Sequence, residues 1–177
     1  MAYRNILLAA ARALALSTLA GSAFAAGTLN ASAVSSVIVV SPTTLTKTQD
    51  MNFGTVVRPS GANGNTTFIL DTANNVTKSG GDGSVVASTT TSAKFSLVTT
   101  PAIAFSAGAV LSFAPAGQLI NIAAGTPLIT GATGSGPTFN LAANGTATLS
   151  YGGQFDVTPS TVPQTYTGTL AVTITYN

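Results

Sequence analysis

Tyr166-Thr167-Gly168-Thr169-Leu170-Ala171-Val172-Thr173-Ile174-Thr175-Tyr176 runs almost to the end of the chain, and its alternation decides the fold. Even positions carry Tyr166, Gly168, Leu170, Val172, Ile174 and Tyr176; odd positions carry small or hydroxyl-bearing residues. A period of two with β-branched residues predicts a half-buried strand. The same alternation predicts a strand over Gly145 to Tyr151, with Ala147, Leu149 and Tyr151 on one face. Shorter strands are predicted at Val34–Val40, Thr43–Thr48, Met51–Val57, Thr66–Asp71, Ser84–Ser88, Ala93–Val98, Ala109–Phe113, Gln118–Ile122 and Thr138–Leu141.

Turn chemistry separates these runs. Asn63-Gly64, Asp82-Gly83 and Asn144-Gly145 are expected to supply the positive φ of tight hairpins. Gly80-Gly81, Gly152-Gly153 and Gly131–Pro137 read as looser loops. No sustained helical period follows residue 25. Many short strands with frequent turns predict an all-β fold, an immunoglobulin-like antiparallel β-sandwich.

The opening of the chain reads differently. Arg4 and Arg12 precede and punctuate an apolar stretch from Ile6 to Leu19, and small residues flank Phe24 in Ala23-Phe24-Ala25. This is the layout of a secretory signal cleaved between Ala25 and Ala26. Arg12 divides the apolar run, which falls short of the roughly 20 residues a spanning helix needs. The expected organisation is a cleaved signal at 1–25 and one domain at 26–177, exported to the periplasm, cell surface or medium and not integral to a membrane.

Charge is scarce: 6 % of the 177 residues are Asp, Glu, Lys or Arg, against about 25 % in ordinary domains. After residue 25 four cations (Lys47, Arg58, Lys78, Lys94) balance four anions (Asp50, Asp71, Asp82, Asp156). A balanced, unclustered set argues against nucleic acid as a partner, and near-zero net charge favours association.

Chemistry-bearing residues are scarce too. The chain has no His, Cys or Trp, and its four acidic residues are all Asp. The usual general base, the thiolate nucleophile and the nitrogen and sulfur ligands of zinc are missing. Each Asp lies beside turn or polar residues, where it bonds nearby backbone. Asp71–Asn75 and Gly80–Gly83 offer oxygen atoms but no repeated calcium-loop pattern. A Ser–Lys dyad using Lys47, Lys78 or Lys94 has no surrounding motif. The expectation is a non-enzymatic protein without cofactor or metal.

Two short motifs carry a resemblance. Asn52-Phe53-Gly54-Thr55 and Tyr166-Thr167-Gly168-Thr169, the latter opening a terminal strand, resemble a family of small exported bacterial proteins of unassigned function. More distantly, the closing strand resembles spore coat protein U and pilin subunits of archaic chaperone–usher systems. Pro163-Gln164-Thr165 departs from the pattern, in which a Gly shortly precedes the Tyr; the missing Cys departs from many pilins.

The pilin resemblance implies an incomplete sandwich completed by a neighbour's strand, a form of β-augmentation. Leu29, Ala31, Ala33, Val37 and Val39 share odd positions just after the predicted cleavage site and form a candidate donor strand within 26–40; equally, Val34–Val40 reads as the first strand of a closed sandwich. Leu170, Val172, Ile174 and Tyr176 form the candidate C-terminal pairing strand, with a periplasmic chaperone, an outer-membrane usher or further copies as implied partners. The expected function is a structural or adhesive surface protein, fimbrial or coat-like. The alternative is a secreted module recognising carbohydrate or a surface protein through Gly131–Gly136 and Asn74–Gly83, with Phe139 and Tyr151 as stacking residues.

Overall fold

The computed structural model describes Val37 and residues 43–61 and 63–176. The chain divides into two compact units, Met1–Ile38 and Val39–Asn177, and the strands belong to the second. Thirteen strands are described: β1 (Thr44–Gln49), β2 (Thr55–Val57), β3 (Thr66–Leu70), β4 (Val76–Ser79), β5 (Ser84–Val86), β6 (Ala93–Val98), β7 (Ile103–Ala114), β8 (Ile120–Ala124), β9 (Leu128–Thr130), β10 (Phe139–Leu141), β11 (Thr146–Tyr151), β12 (Gly153–Val157) and β13 (Thr167–Tyr176). All their pairings are antiparallel. The fold is all-β, a β-sandwich, as the alternation predicts.

Two four-stranded sheets, β1-β6-β11-β9 and β4-β3-β12-β8, are joined where β11 passes through Gly152 into β12. The sheet β10-β7-β13 covers both, and β2-β5 forms a small separate pair. β7 and β13 pair without interruption from Phe105↔Tyr176 to Ala114↔Thr167. One half of this ribbon packs, through Phe105, Val172 and Ile174, on Phe95, Leu97, Leu149 and Tyr151. The other half packs, through Leu111, Phe113 and Tyr166, on Phe53, Phe68, Phe155 and Val157. Each fully covered Leu or Phe contributes about 2 kcal/mol of apolar burial, so the two clusters hold the layers together without any disulfide.

β13 repeats its sequence pattern in space. Leu170, Val172 and Ile174 are half-buried, the odd-numbered residues are exposed, and Tyr176 is 49 % exposed.

Elsewhere the structure corrects the reading. Gly152-Gly153 is not a loop: Gly153 opens β12, which carries Phe155 and Val157 into the core. A Cβ at Gly152 would collide with the Leu70 carbonyl oxygen, so the glycine permits a tight crossing rather than a loose turn. β7 runs twelve residues, through Gly108, where only Ala109–Phe113 was expected. β4 and β9 were not expected; β4 lies inside the Asn74–Gly83 span read as a loop. Met51–Val57 is not one strand, since Asn52 makes an isolated bridge to Thr91 and only Thr55–Val57 forms β2. Asp82-Gly83 does not supply positive φ; Gly80 and Gly81 do, whereas Gly64 and Asn144 behave as predicted.

Candidate functional site: an apolar groove beside a free strand edge

Asn52 holds its segment in place by exchanging backbone hydrogen bonds with Thr91, at 2.8 and 2.9 Å. Its Nδ2 donates to the Thr89 carbonyl at 3.1 Å, and its Oδ1 accepts from the Gly54 amide at 2.8 Å. That short loop needs a left-handed residue, which Gly54 supplies with φ of 72°; a Cβ there would also strike the Ser88 side chain. The Thr55 amide then donates to Ser88 Oγ at 3.0 Å. Pinned on both sides, Phe53 turns inward to 8 % exposure.

The second motif meets the first at this ring. Gly168 on β13 lies opposite Phe113 on β7, and a Cβ at Gly168 would sit 2.9 Å from the Phe113 ring. The missing side chain lets that ring lie against β13. Phe113, Phe53 and Phe155 then form an edge-to-face triad with centroids 4.9 to 5.9 Å apart, a geometry worth more than its area alone. Tyr166 Oη donates to the Val162 carbonyl at 2.6 Å, which folds Pro163-Gln164-Thr165 into a compact approach to β13.

Between these parts lies an open groove of about 1020 Å³. Asn52, Phe53, Gly54 and Thr55 line one wall; Tyr166, Gly168 and Thr169 line the other. Two motifs more than a hundred residues apart thus converge on one feature. The floor is apolar (Phe95, Leu111, Phe113, Leu119, Phe155, Val157), and the rim carries Lys47, Asp50 and Arg58. Lys47 bonds Asp50 at 2.5 Å, and Arg58 donates to the Thr161 carbonyl at 3.1 Å. Phe113, Phe155 and Leu119 were not singled out in the sequence. The alternation of Gln154 and Asp156 with Phe155 and Val157 is the signal that finds β12.

The sheet edge beside the groove is unusual. Among the described residues β13 pairs only with β7. Strands with an unpaired edge normally carry a device against pairing: shortness, a charge, a proline or a bulge. β1 has Lys47 and a register shift, β4 has Lys78, and β8 has an irregular register with Asn121 left-handed. β2, β5, β9 and β10 have three residues each. β13 has ten residues, no charge, no proline and no register shift.

Of the remaining sequence-predicted residues, Leu170 lines the groove, whereas Val172 and Ile174 pack on the core farther along β13. The cleavage pair Ala25 and Ala26, and Leu29, Ala31, Ala33 and Val39, lie outside the described residues; Val37 is described and exposed. Of the proposed stacking pair, one residue is closed to a sugar. Tyr151 is wholly buried, and Phe139 is half-buried with its ring 5.8 Å from Phe105.

Each carboxylate serves its own neighbourhood. Asp71 accepts from the Ala73 and Asn75 amides at 2.9 and 2.8 Å and from Asn75 Nδ2 at 3.1 Å; the Asn75 bonds hold it below its ordinary pKa. Asp82 is lowered by its bonds from Ser60, side chain first and then backbone. Asp156, only 8 % exposed, accepts from Thr67 Oγ1 at 2.6 Å and Asn121 Nδ2 at 2.5 Å. Each Asp was expected beside turn or polar residues bonding nearby backbone; Asp156 instead sits within β12, between Phe155 and Val157, and bonds side chains. Among the described residues no three His, Cys, Asp or Glu stand together as a metal site.

No curated protein and no solved structure matches the chain. A family model, described as a domain of unknown function (DUF4402), matches residues 43–176, from just before β1 to the end of β13. The chain therefore belongs to the DUF4402 family.

Proposed function

We propose that this is an exported, non-enzymatic structural or adhesive protein of the cell surface, a fimbrial or coat-like subunit that assembles by β-strand exchange. The observation that carries the reading is the edge of β13, unpaired among the described residues, running beside a groove with an apolar floor. A strand laid there would gain main-chain hydrogen bonds along β13 and bury alternate side chains on the aromatic floor, the two components of strand addition. The uncharged Thr- and Ser-rich exterior of the ribbon offers little repulsion to a second copy. A periplasmic chaperone or an outer-membrane usher would use the same edge during export.

Residues 26–40 are the proposed donor. The experiment is to remove them and offer the peptide back in trans. Uptake, read as a rise in melting temperature, is the expected result; no uptake by a folded chain overturns strand exchange. Immunogold labelling of the native surface tests the location, and absence of label from any filament or coat overturns the surface role.

A further inference from the structure

We infer that Asn63 is a modification site: its side-chain amide is lost spontaneously, through a cyclic imide with Gly64, leaving an aspartyl or isoaspartyl residue in the loop before β3. This is independent of the strand-exchange reading. Both reacting groups lie in the chain itself. The Gly64 nitrogen attacks Asn63 Cγ; the N–Cγ bond forms, the Cγ–Nδ2 bond breaks, and the Gly64 amide proton leaves with the side-chain nitrogen as ammonia. Water then opens the five-membered imide. Addition at Cγ restores the main chain and yields aspartate. Addition at the main-chain carbonyl carbon yields isoaspartate, with the chain routed through Cβ and Cγ. One water is consumed and one ammonia is released. Glycine favours the closure, because it brings no Cβ against the ring and its backbone rotates freely.

Asn-Gly occurs twice in the chain, at 63–64 and at 144–145, and the fold treats the two pairs oppositely. Ring closure requires the peptide plane between the two residues to turn until the glycine nitrogen faces Cγ. At 144–145 that plane is fixed. The Gly145 amide donates to the Ala142 carbonyl at 3.0 Å, the Asn144 amide donates to the Thr100 carbonyl at 3.0 Å, and the Gly145 carbonyl accepts from the Thr99 amide at 3.1 Å. Gly145 is also closely packed: a Cβ there would lie 2.8 Å from Cδ1 of Leu141, a core residue.

At 63–64 the surroundings are open. Asn63 and Gly64 are both exposed, and a Cβ on Gly64 would meet nothing within 4 Å. Among the described residues neither is held by a backbone hydrogen bond. The loop is tied at its ends instead. Before it, the Ser60 amide donates to Asp82 Oδ1 at 2.9 Å; after it, buried Thr66 accepts through Oγ1 from the Gly83 amide at 2.9 Å. Each bond that must break before closure slows the step by severalfold to about tenfold. Asn63 should therefore convert much the faster of the two. The product alters the charge balance: four cations face four anions after residue 25, and a carboxylate at position 63 adds an anion that accumulates with the age of each copy.

The test is a time course of the purified protein in mildly alkaline buffer, folded and in urea. Samples are digested and mapped by mass spectrometry with electron-transfer fragmentation, which separates Asn63 from Asn65 and tells aspartate from isoaspartate. In the folded protein, position 63 should convert to a mixture of both products at about ten times the rate of position 144 or faster. In urea the two rates should be comparable, since the turn that protects Asn144 is gone. Retention of the Asn63 amide in the folded chain while the unfolded chain reacts would overturn the inference. So would equal rates at the two positions in the folded chain. Aspartate alone, with no isoaspartate, would overturn the imide route. Asn63→Gln, whose ring would have six members, should remove the acidic species that isoelectric focusing shows building up in the parent. Persistence of that species would overturn the assignment to Asn63.

Discussion

Replacing Tyr151 with Phe should stabilise the protein. The Tyr151 side chain is fully buried at the end of β11, with its ring edge-on to Phe95 at 6.1 Å, and among the described residues its hydroxyl has no hydrogen-bond partner. An orphaned buried hydroxyl forfeits its bonds to water and costs about 1–3 kcal/mol. Phe keeps the ring and its packing, so Tyr151→Phe should gain about 1 kcal/mol at pH 7. With a urea m-value of about 2 kcal/mol/M for a domain of this size, the midpoint should rise by about 0.5 M. The pH dependence gives a second, independent reading. Burial pushes the Tyr151 hydroxyl up to about 12, so the folded state holds the proton while the unfolded chain releases it near pH 10. Unfolding then gains a deprotonation that the native state resists. The stability is whole below pH 10 and falls as pH climbs from 10 towards 12, by about 2–3 kcal/mol in all. Tyr151→Phe should lack that component, so urea midpoints of the two proteins should diverge further above pH 10. A variant destabilised by 1 kcal/mol or more at pH 7, or alkaline curves that stay parallel, would refute the reasoning.

Other perturbations follow from single contacts. Asp156→Ala leaves Thr67 and the Asn121 amide without their acceptor beneath partial cover; a loss of about 2–3 kcal/mol in urea unfolding is expected. Gly54→Ala must combine positive φ with a clash against Ser88, and a melting-temperature drop worth about 2 kcal/mol is expected. Asp71→Asn should flatten the acid limb of stability. The folded carboxylate titrates below its ordinary pKa, so its contribution is present at neutral pH and is lost as pH falls through the lowered value; unchanged acid melting curves would count against the loop geometry. Thr173→Lys with Ala171→Lys places charge on the edge of β13 that is unpaired among the described residues; sedimentation velocity should show weaker self-association, with thermal stability within about 0.5 kcal/mol of the parent.

How much of this was legible beforehand depends on where the pattern was clean. β13 and β11 alternate strictly, and the sequence places them within a residue or so. β12 alternates as well, but a double glycine hid it: Gly152 and Gly153 look like a loop, whereas close backbone approach is what excludes side chains there. β7 was cut short because Gly108 reads as a breaker, although the position opposite Thr173 is open space that any small residue satisfies. β4 and β9 are short and polar or flanked by Gly, and their strand character comes from the neighbours they pair with. The groove was half visible. Its two motif walls stood out as the short strings that carry the family resemblance, but their meeting depends on tertiary packing of Phe113 and Phe155, which no local spacing encodes. Tyr151 was read two ways: it shares the buried face of β11 with Ala147 and Leu149, as the alternation predicts, and its full burial removes it from the stacking role of the alternative reading.

The account turns on whether the free edge of β13 accepts a strand. Amide hydrogen exchange on the chain beginning at Ala26, followed at rising protein concentration, addresses this directly. Protection should grow with concentration at amides of Thr167–Tyr176 that β7 does not already engage, together with those of Asn52–Thr55 on the facing wall. If association proceeds while those amides keep exchanging at the dilute rate, the edge is not the joint, and the account fails.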